Sequence, residues 1–129
     1  MLVKERTNVY DFEFYLVFVT EKRLHIFSDD ELKNDMKVIL MNLANNNGIS
    51  VSRLDVFSNH VRMQLSFRPK YAPTNVVKSL KGTSARVWFK KHPELEHNEI
   101  NGHLWASGFF MATVGSVSDS FVDHYVDNN

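Results

Sequence analysis

The chain has no cysteine, which excludes a disulfide framework and any thiolate metal site. No apolar run reaches the length of a membrane span, and the first residues lack the apolar core of a signal peptide. These features lead us to expect a soluble cytoplasmic protein with no membrane partner; no small-molecule substrate is expected either. Net charge is also lacking: 15 Lys and Arg balance 15 Asp and Glu. Zero net charge argues against a nucleic-acid binder, but the distribution argues the other way. Between residues 62 and 91 there is no acid at all, and eight of the 15 basic residues stand there: Arg62, Arg68, Lys70, Lys78, Lys81, Arg86, Lys90 and Lys91. Such asymmetry is the footprint of a site for an anion such as a phosphate backbone. A solvated helix face is the competing reading.

With 129 residues, 43% of them hydrophobic, the chain can fill one core, and we expect one domain over 1–129 with a polar arm at 1–10. Residues 60–67, HVRMQLSF, alternate without a fault. Val61, Met63, Leu65 and Phe67 fall on one face; His60, Arg62, Gln64 and Ser66 fall on the other, the period-two pattern of a half-buried strand. Residues 12–20 are nearly continuous in aromatic and β-branched character and read as a central strand. Ser28, with Glu31 three residues on, has capping-box spacing. A helix is expected from about Asp29 to Asn46, with Gly48 as its stop. Residues 49–57 form the next strand, with a phase shift near Ser52–Arg53 that marks a bulge. Ser58–Asn59 turns it into a hairpin that begins at His60.

A second helix starts at Pro73 or Thr74 and ends before Pro93. Val76, Val77, Leu80, Ser84, Val87 and Trp88 share its inner side, and Gly82 marks a close crossing or a kink. His92, His97 and His103 match no zinc-ligand spacing. Residues 104–114 read as the last strand, with a bulge or close approach at Gly108. A final helix, capped by Ser116 or Ser118, carries Phe121, Val122, Tyr125 and Val126. The order β-α-β-β-α-β predicts an α+β ferredoxin-like (RRM-like) sandwich: an antiparallel sheet with two helices on one face, plus the C-terminal helix. The His60–Arg62–Gln64 row would lie on the open face.

In the last helix, Tyr125 and Asn129 are four apart and share a side. With the strand row, the chain resembles the single-tyrosine transposases of the HUH nuclease class, which move bacterial insertion sequences as single-stranded DNA. The resemblance rests on Asn59-His60-Val61, Pro69-Lys70-Tyr71, Val76-Val77-Lys78-Ser79-Leu80-Lys81-Gly82, Lys91-His92-Pro93-Glu94-Leu95, Leu104-Trp105-Ala106-Ser107-Gly108-Phe109-Phe110, Thr113-Val114-Gly115 and Tyr125-Val126-Asp127-Asn128-Asn129. It implies a DNA transposase that uses a tyrosine nucleophile, here Tyr125, and a Mg²⁺ or Mn²⁺ ion held by two histidines and a glutamine. It implies a homodimer on single-stranded or hairpin DNA.

Two ligand positions depart from that pattern. Arg62 stands at the second histidine, with Gln64 nearby, so the motif is His60-Val61-Arg62. Asn129 stands at the glutamine, leaving His60 and Asn129 as the expected metal ligands. A guanidinium repels a divalent ion and grips a phosphate well, so metal binding should be poor while DNA binding is retained. DNA contacts are expected at Arg62, Arg68, Lys70, Lys78 and Lys81. A strand-transferring enzyme and a DNA-binding protein that no longer cuts both fit the residues. An RNA- or single-strand-binding module of the RRM type would need aromatics in the open-face row, which lacks them.

Overall fold

Residues 14–19, FYLVFV, are apolar on both faces, and the fold gives both faces cover. In the computed structural model, which describes residues 3–5, 8–10, 13–95, 102–114 and 119–127, this strand, β3 (Phe14–Val19), is central, and Leu16, Val17, Phe18 and Val19 are at most 2% exposed. Within the N-terminal arm, β1 (Val3–Glu5) pairs antiparallel with β2 (Asn8–Tyr10). The main sheet adds β4 (Ser50–Val56), β5 (His60–Ser66) and β6 (Phe110–Thr113) in the order β4-β5-β3-β6, with every pair antiparallel. This is the expected ferredoxin-like α+β sandwich.

Helices α1 (Asp30–Asn46) and α2 (Pro73–Lys91) pack on one face. Met36, Leu40, Val77, Leu80 and Trp88 meet Leu16, Phe18, Val61, Met63 and Leu65 there. Each such side chain taken from water contributes roughly 1.5–3 kcal/mol, so this face dominates the stability. Helix α3 (Asp119–Asp127) lies on the other face, where Val122 and Val126 cover Val17.

Local chemistry sets the boundaries, and several differ from the sequence expectation. Asp29, not Ser28, caps α1: its Oδ1 accepts from the backbone N–H of Leu32 at 2.8 Å. Gly48 ends the helix at φ +69°, a conformation that costs glycine nothing. Val87 is exposed instead of facing inward, and a Cβ built at Gly82 would meet nothing within 4 Å, so there is no close crossing. The expected strand at 104–114 is a strand only over Phe110–Thr113. Before it, Leu104 and Trp105 enter the main core, and Trp105 bridges Thr20. The indole N–H of Trp105 donates to Ser84 Oγ at 3.0 Å. The expected caps Ser116 and Ser118, and His97, lie outside the described residues.

The bulge falls where the phase shift indicated, between Val51 and Arg53. It keeps Leu54 opposite Met63 on the core side while Arg53 and Asp55 stand opposite Gln64 and Arg62. Two more charged groups thereby join the open face.

Candidate functional site

The site is assembled on β5. Its first residue, His60, follows a tight turn closed by the backbone N–H of Phe57 donating to the His60 carbonyl at 2.8 Å. Thr20 fixes that turn: its N–H donates to the Asn59 carbonyl at 2.9 Å, and its single hydroxyl proton is placed between the Leu24 carbonyl at 2.7 Å and the Asn59 carbonyl at 3.1 Å. His60 is 6% exposed, and its imidazole stacks on Phe57 with ring centroids 4.4 Å apart. Burial, with the Arg62 charge adding to it, pulls its pKa down to about 4. The ring is therefore neutral at pH 7, with Nδ1 donating to Asn59 Oδ1 at 2.8 Å and Nε2 presenting its lone pair to the site.

Arg62 takes that lone pair. Its Nε donates to His60 Nε2 at 3.1 Å, and an Nη donates to Asp123 Oδ1 on α3 at 2.6 Å. The guanidinium carbon lies 5.1 Å from the Phe57 ring centroid, a cation–π contact. Arg62, Val17 and Phe110 are cross-strand neighbours in one row, and α3 lies over it. Asp123 meets Arg62, Val122 and Val126 cover Val17, and Tyr125 meets Phe110 with ring centroids 5.5 Å apart. Tyr125 is half-buried, and burial raises its pKa, so it is a neutral phenol at rest. Arg23 donates to the Asp127 carbonyl at the end of the helix.

These residues do not fit a divalent ion. The ring nitrogen of His60 that would coordinate it already accepts from a guanidinium, and a fixed positive charge fills the second position. At about 4 Å, two unit charges repel by about 4 kcal/mol at an effective dielectric of about 20, and a divalent ion roughly doubles this. Among the described residues no three His, Asp or Glu side chains are grouped to hold a metal. Asn129 lies outside the described residues.

The remaining expected DNA contacts separate. Arg68, Lys70 and Lys78 are exposed. Arg68 and Lys70 line a cleft of about 570 Å³ between the end of α1 and the start of α2, together with Asn46, Asn47, Tyr71 and Asn75. Arg68 lies beyond the end of β5, and its cleft shares no lining residue with the one at Arg62. Lys81 differs: its ammonium donates to the carbonyls of Ala106 and Gly108, both at 2.7 Å, and burial lowers its pKa. It ties α2 to the segment before β6, a structural employment that its place in the basic run did not reveal. His92 is likewise structural, with Nε2 2.9 Å from Asp35 Oδ2.

Sequence reasoning missed Asp123, Asp55 and Phe57. The available signal was position: Asp123 stands two residues before Tyr125, and Phe57 closes the hairpin that begins at His60.

The family model described as transposase, IS200-like, matches residues 8–129. The ISDra2 transposase TnpA of Deinococcus radiodurans is 32% identical over 125 residues, covering 97% of this chain and 89% of that protein. A crystal structure from Deinococcus radiodurans R1, of a protein assigned as a transposase, superposes with a TM-score of 0.90 at 31% identity, covering 98% of this chain and 96% of the other. The structure of a REP-associated tyrosine transposase bound to a REP hairpin shares the fold, with a TM-score of 0.55 at 10% identity over 97% of this chain and 69% of that one. The chain belongs to the IS200-like transposase family.

Proposed function

We propose that this chain binds single-stranded or hairpin DNA, and nicks and rejoins it with Tyr125 as the nucleophile. The observation that carries the reading is the seat of Tyr125. It rides on α3 over the same row of the sheet that holds Arg62, and α3 is tied to that row through Asp123. The phenol oxygen attacks the phosphorus as the bond to the 3′ oxygen breaks. A 5′-phosphotyrosine and a 3′-hydroxyl result, with the phenol proton passing in net to the leaving oxygen. Strand joining is the reverse. A Mg²⁺ or Mn²⁺ ion in the family's manner is not part of this proposal, because His60 and Arg62 do not fit one.

The deciding experiment is an adduct assay with single-stranded DNA carrying an insertion-sequence end. A denaturation-resistant protein–DNA band that disappears in Tyr125→Phe supports strand transfer. Absence of the band in wild type, with DNA binding intact, leaves the second reading, a transposase-derived binder that does not cut. The Arg62–His60 hydrogen bond favours that second reading.

A homodimer belongs to the same proposal. β6 is an edge of the sheet, and sheet edges are commonly covered by a partner strand, helix or loop. A dimer mass by light scattering at micromolar protein is the expected result, and a monomer mass would remove it.

A further inference from the structure

We propose that the cleft at Arg62 is a phosphodiester site in which the guanidinium serves as a resident cation and Asp123 is the carboxylate that the phosphate displaces. The inference rests on the DNA-binding reading above and goes beyond it. It assigns one phosphate of the strand to one protein group, and it makes that contact independent of metal.

The cleft has a volume of about 190 Å³ and is lined by Tyr15, Arg53, Asp55, Arg62, Gln64 and Asp123, among others. Arg62 is fixed in it from three sides: His60 Nε2 at its Nε, the Phe57 ring at 5.1 Å and Asp123 at an Nη. A guanidinium held in this way has lost most of its rotamer freedom before any ligand arrives, and its fork suits two oxygens of one phosphate. Arg53, on the same lining, is paired with Asp55 at 2.7 Å.

Asp123 is the displaceable partner. Its side chain is 58% exposed, against 27% for Arg62. A carboxylate and a phosphodiester carry the same single charge, so the exchange leaves the pair neutral, and a half-exposed carboxylate is rehydrated at little cost. The His60 contact is different in kind: it holds Nε, faces the buried side and can persist while the Nη groups change partner. Asp123 is also on α3, two residues before Tyr125, so the exchange loosens a tie between the tyrosine helix and the sheet as the phosphate arrives.

The test is fluorescence anisotropy with a labelled single-stranded oligonucleotide in excess EDTA, on wild type, Asp123→Asn, Arg62→Gln and the double variant. Glu94→Gln, just after α2 and not among the residues that line the cleft, controls for general charge. Wild type should bind in EDTA, and added Mn²⁺ should not tighten it. Asp123→Asn should bind several-fold tighter, beyond the control. Arg62→Gln should bind about tenfold weaker. In the Arg62→Gln background the gain from Asp123→Asn should vanish, since the cycle isolates the pair. If wild type binds but Asp123→Asn equals the control, or its gain survives without Arg62, the phosphodiester site is overturned while DNA binding stands. If millimolar inorganic phosphate competes as well as an unlabelled oligonucleotide, the site takes free anions, and the proposal fails in that form. If wild type does not bind the oligonucleotide at all, the DNA-binding reading fails and this inference with it.

Discussion

Arg62 Nε donates a 3.1 Å hydrogen bond to His60 Nε2. Two residues apart on one strand, they share a face because strands alternate. In that geometry the arginine both stands where the resemblance expects a second ligand and consumes the lone pair of its neighbour. One substitution therefore acts on metal binding twice, through charge and through donor count. The same contact fixes the imidazole tautomer, with Nδ1 donating to Asn59.

The protein should lose stability in mild acid. The pKa of His60 falls from an ordinary 6.5 to about 4 on folding, mainly through burial. The unfolded chain then binds the proton more readily between those values, so stability is full above about pH 6.5 and falls as pH drops toward about 4. A shift of that size is worth up to about 3 kcal/mol. Asp35, held low chiefly by its hydrogen bond from Lys91, acts in the same direction at lower pH. Urea melts between pH 7.5 and 4 measure the slope, and His60→Gln should flatten it over the upper part of the range.

Lys81→Met should destabilise the fold by about 1–3 kcal/mol, because it strips the carbonyls of Ala106 and Gly108 of an ionic donor. Its effect on DNA affinity, compared at temperatures where both proteins are folded, should be smaller than that of Lys70→Met. Thermal melts and anisotropy on the same samples check both parts.

Arg68, Lys70 and Lys78 should act as phosphate contacts. Each one neutralising a phosphate of a single strand adds about −0.7 to the slope of log affinity against log salt. Changing all three to Ala should flatten the slope by about 2. An unchanged slope would remove them from the interface.

Ser84→Ala should cost about 1–3 kcal/mol, since it leaves the buried indole N–H of Trp105 without its acceptor. Ser84→Thr, which keeps the hydroxyl, should restore part of the loss in a denaturant melt.

The strand at His60 was legible because its alternation is unbroken, and the bulge because phase is conserved along a regular strand. Cap identity was not: Ser28 and Asp29 are adjacent and both competent, and backbone geometry chose Asp29. The length of β6 was not legible either. Residues 104–109 are as apolar as a strand, yet Trp105 is drawn into the core and Gly108 sits at φ +82°. The employment of Lys81 by two carbonyls and the pairing of Arg62 with Asp123, 61 residues away, are tertiary facts with no local signature. Alternation along the strand and the family resemblance single out His60, Arg62 and Tyr125 as candidates. The structure adds that Arg62 is bonded to His60 and, through Asp123, to the helix that carries Tyr125.

The central claim is that Arg62 excludes a divalent ion from His60. Calorimetric titration of Mn²⁺ into wild type and Arg62→His tests it without recourse to DNA. Wild type should show no saturable heat up to about millimolar Mn²⁺. Arg62→His, which removes a positive charge and adds a neutral nitrogen donor, should bind at least about tenfold more tightly. Saturable micromolar binding by wild type, or an Arg62→His variant no better than wild type, would contradict the account.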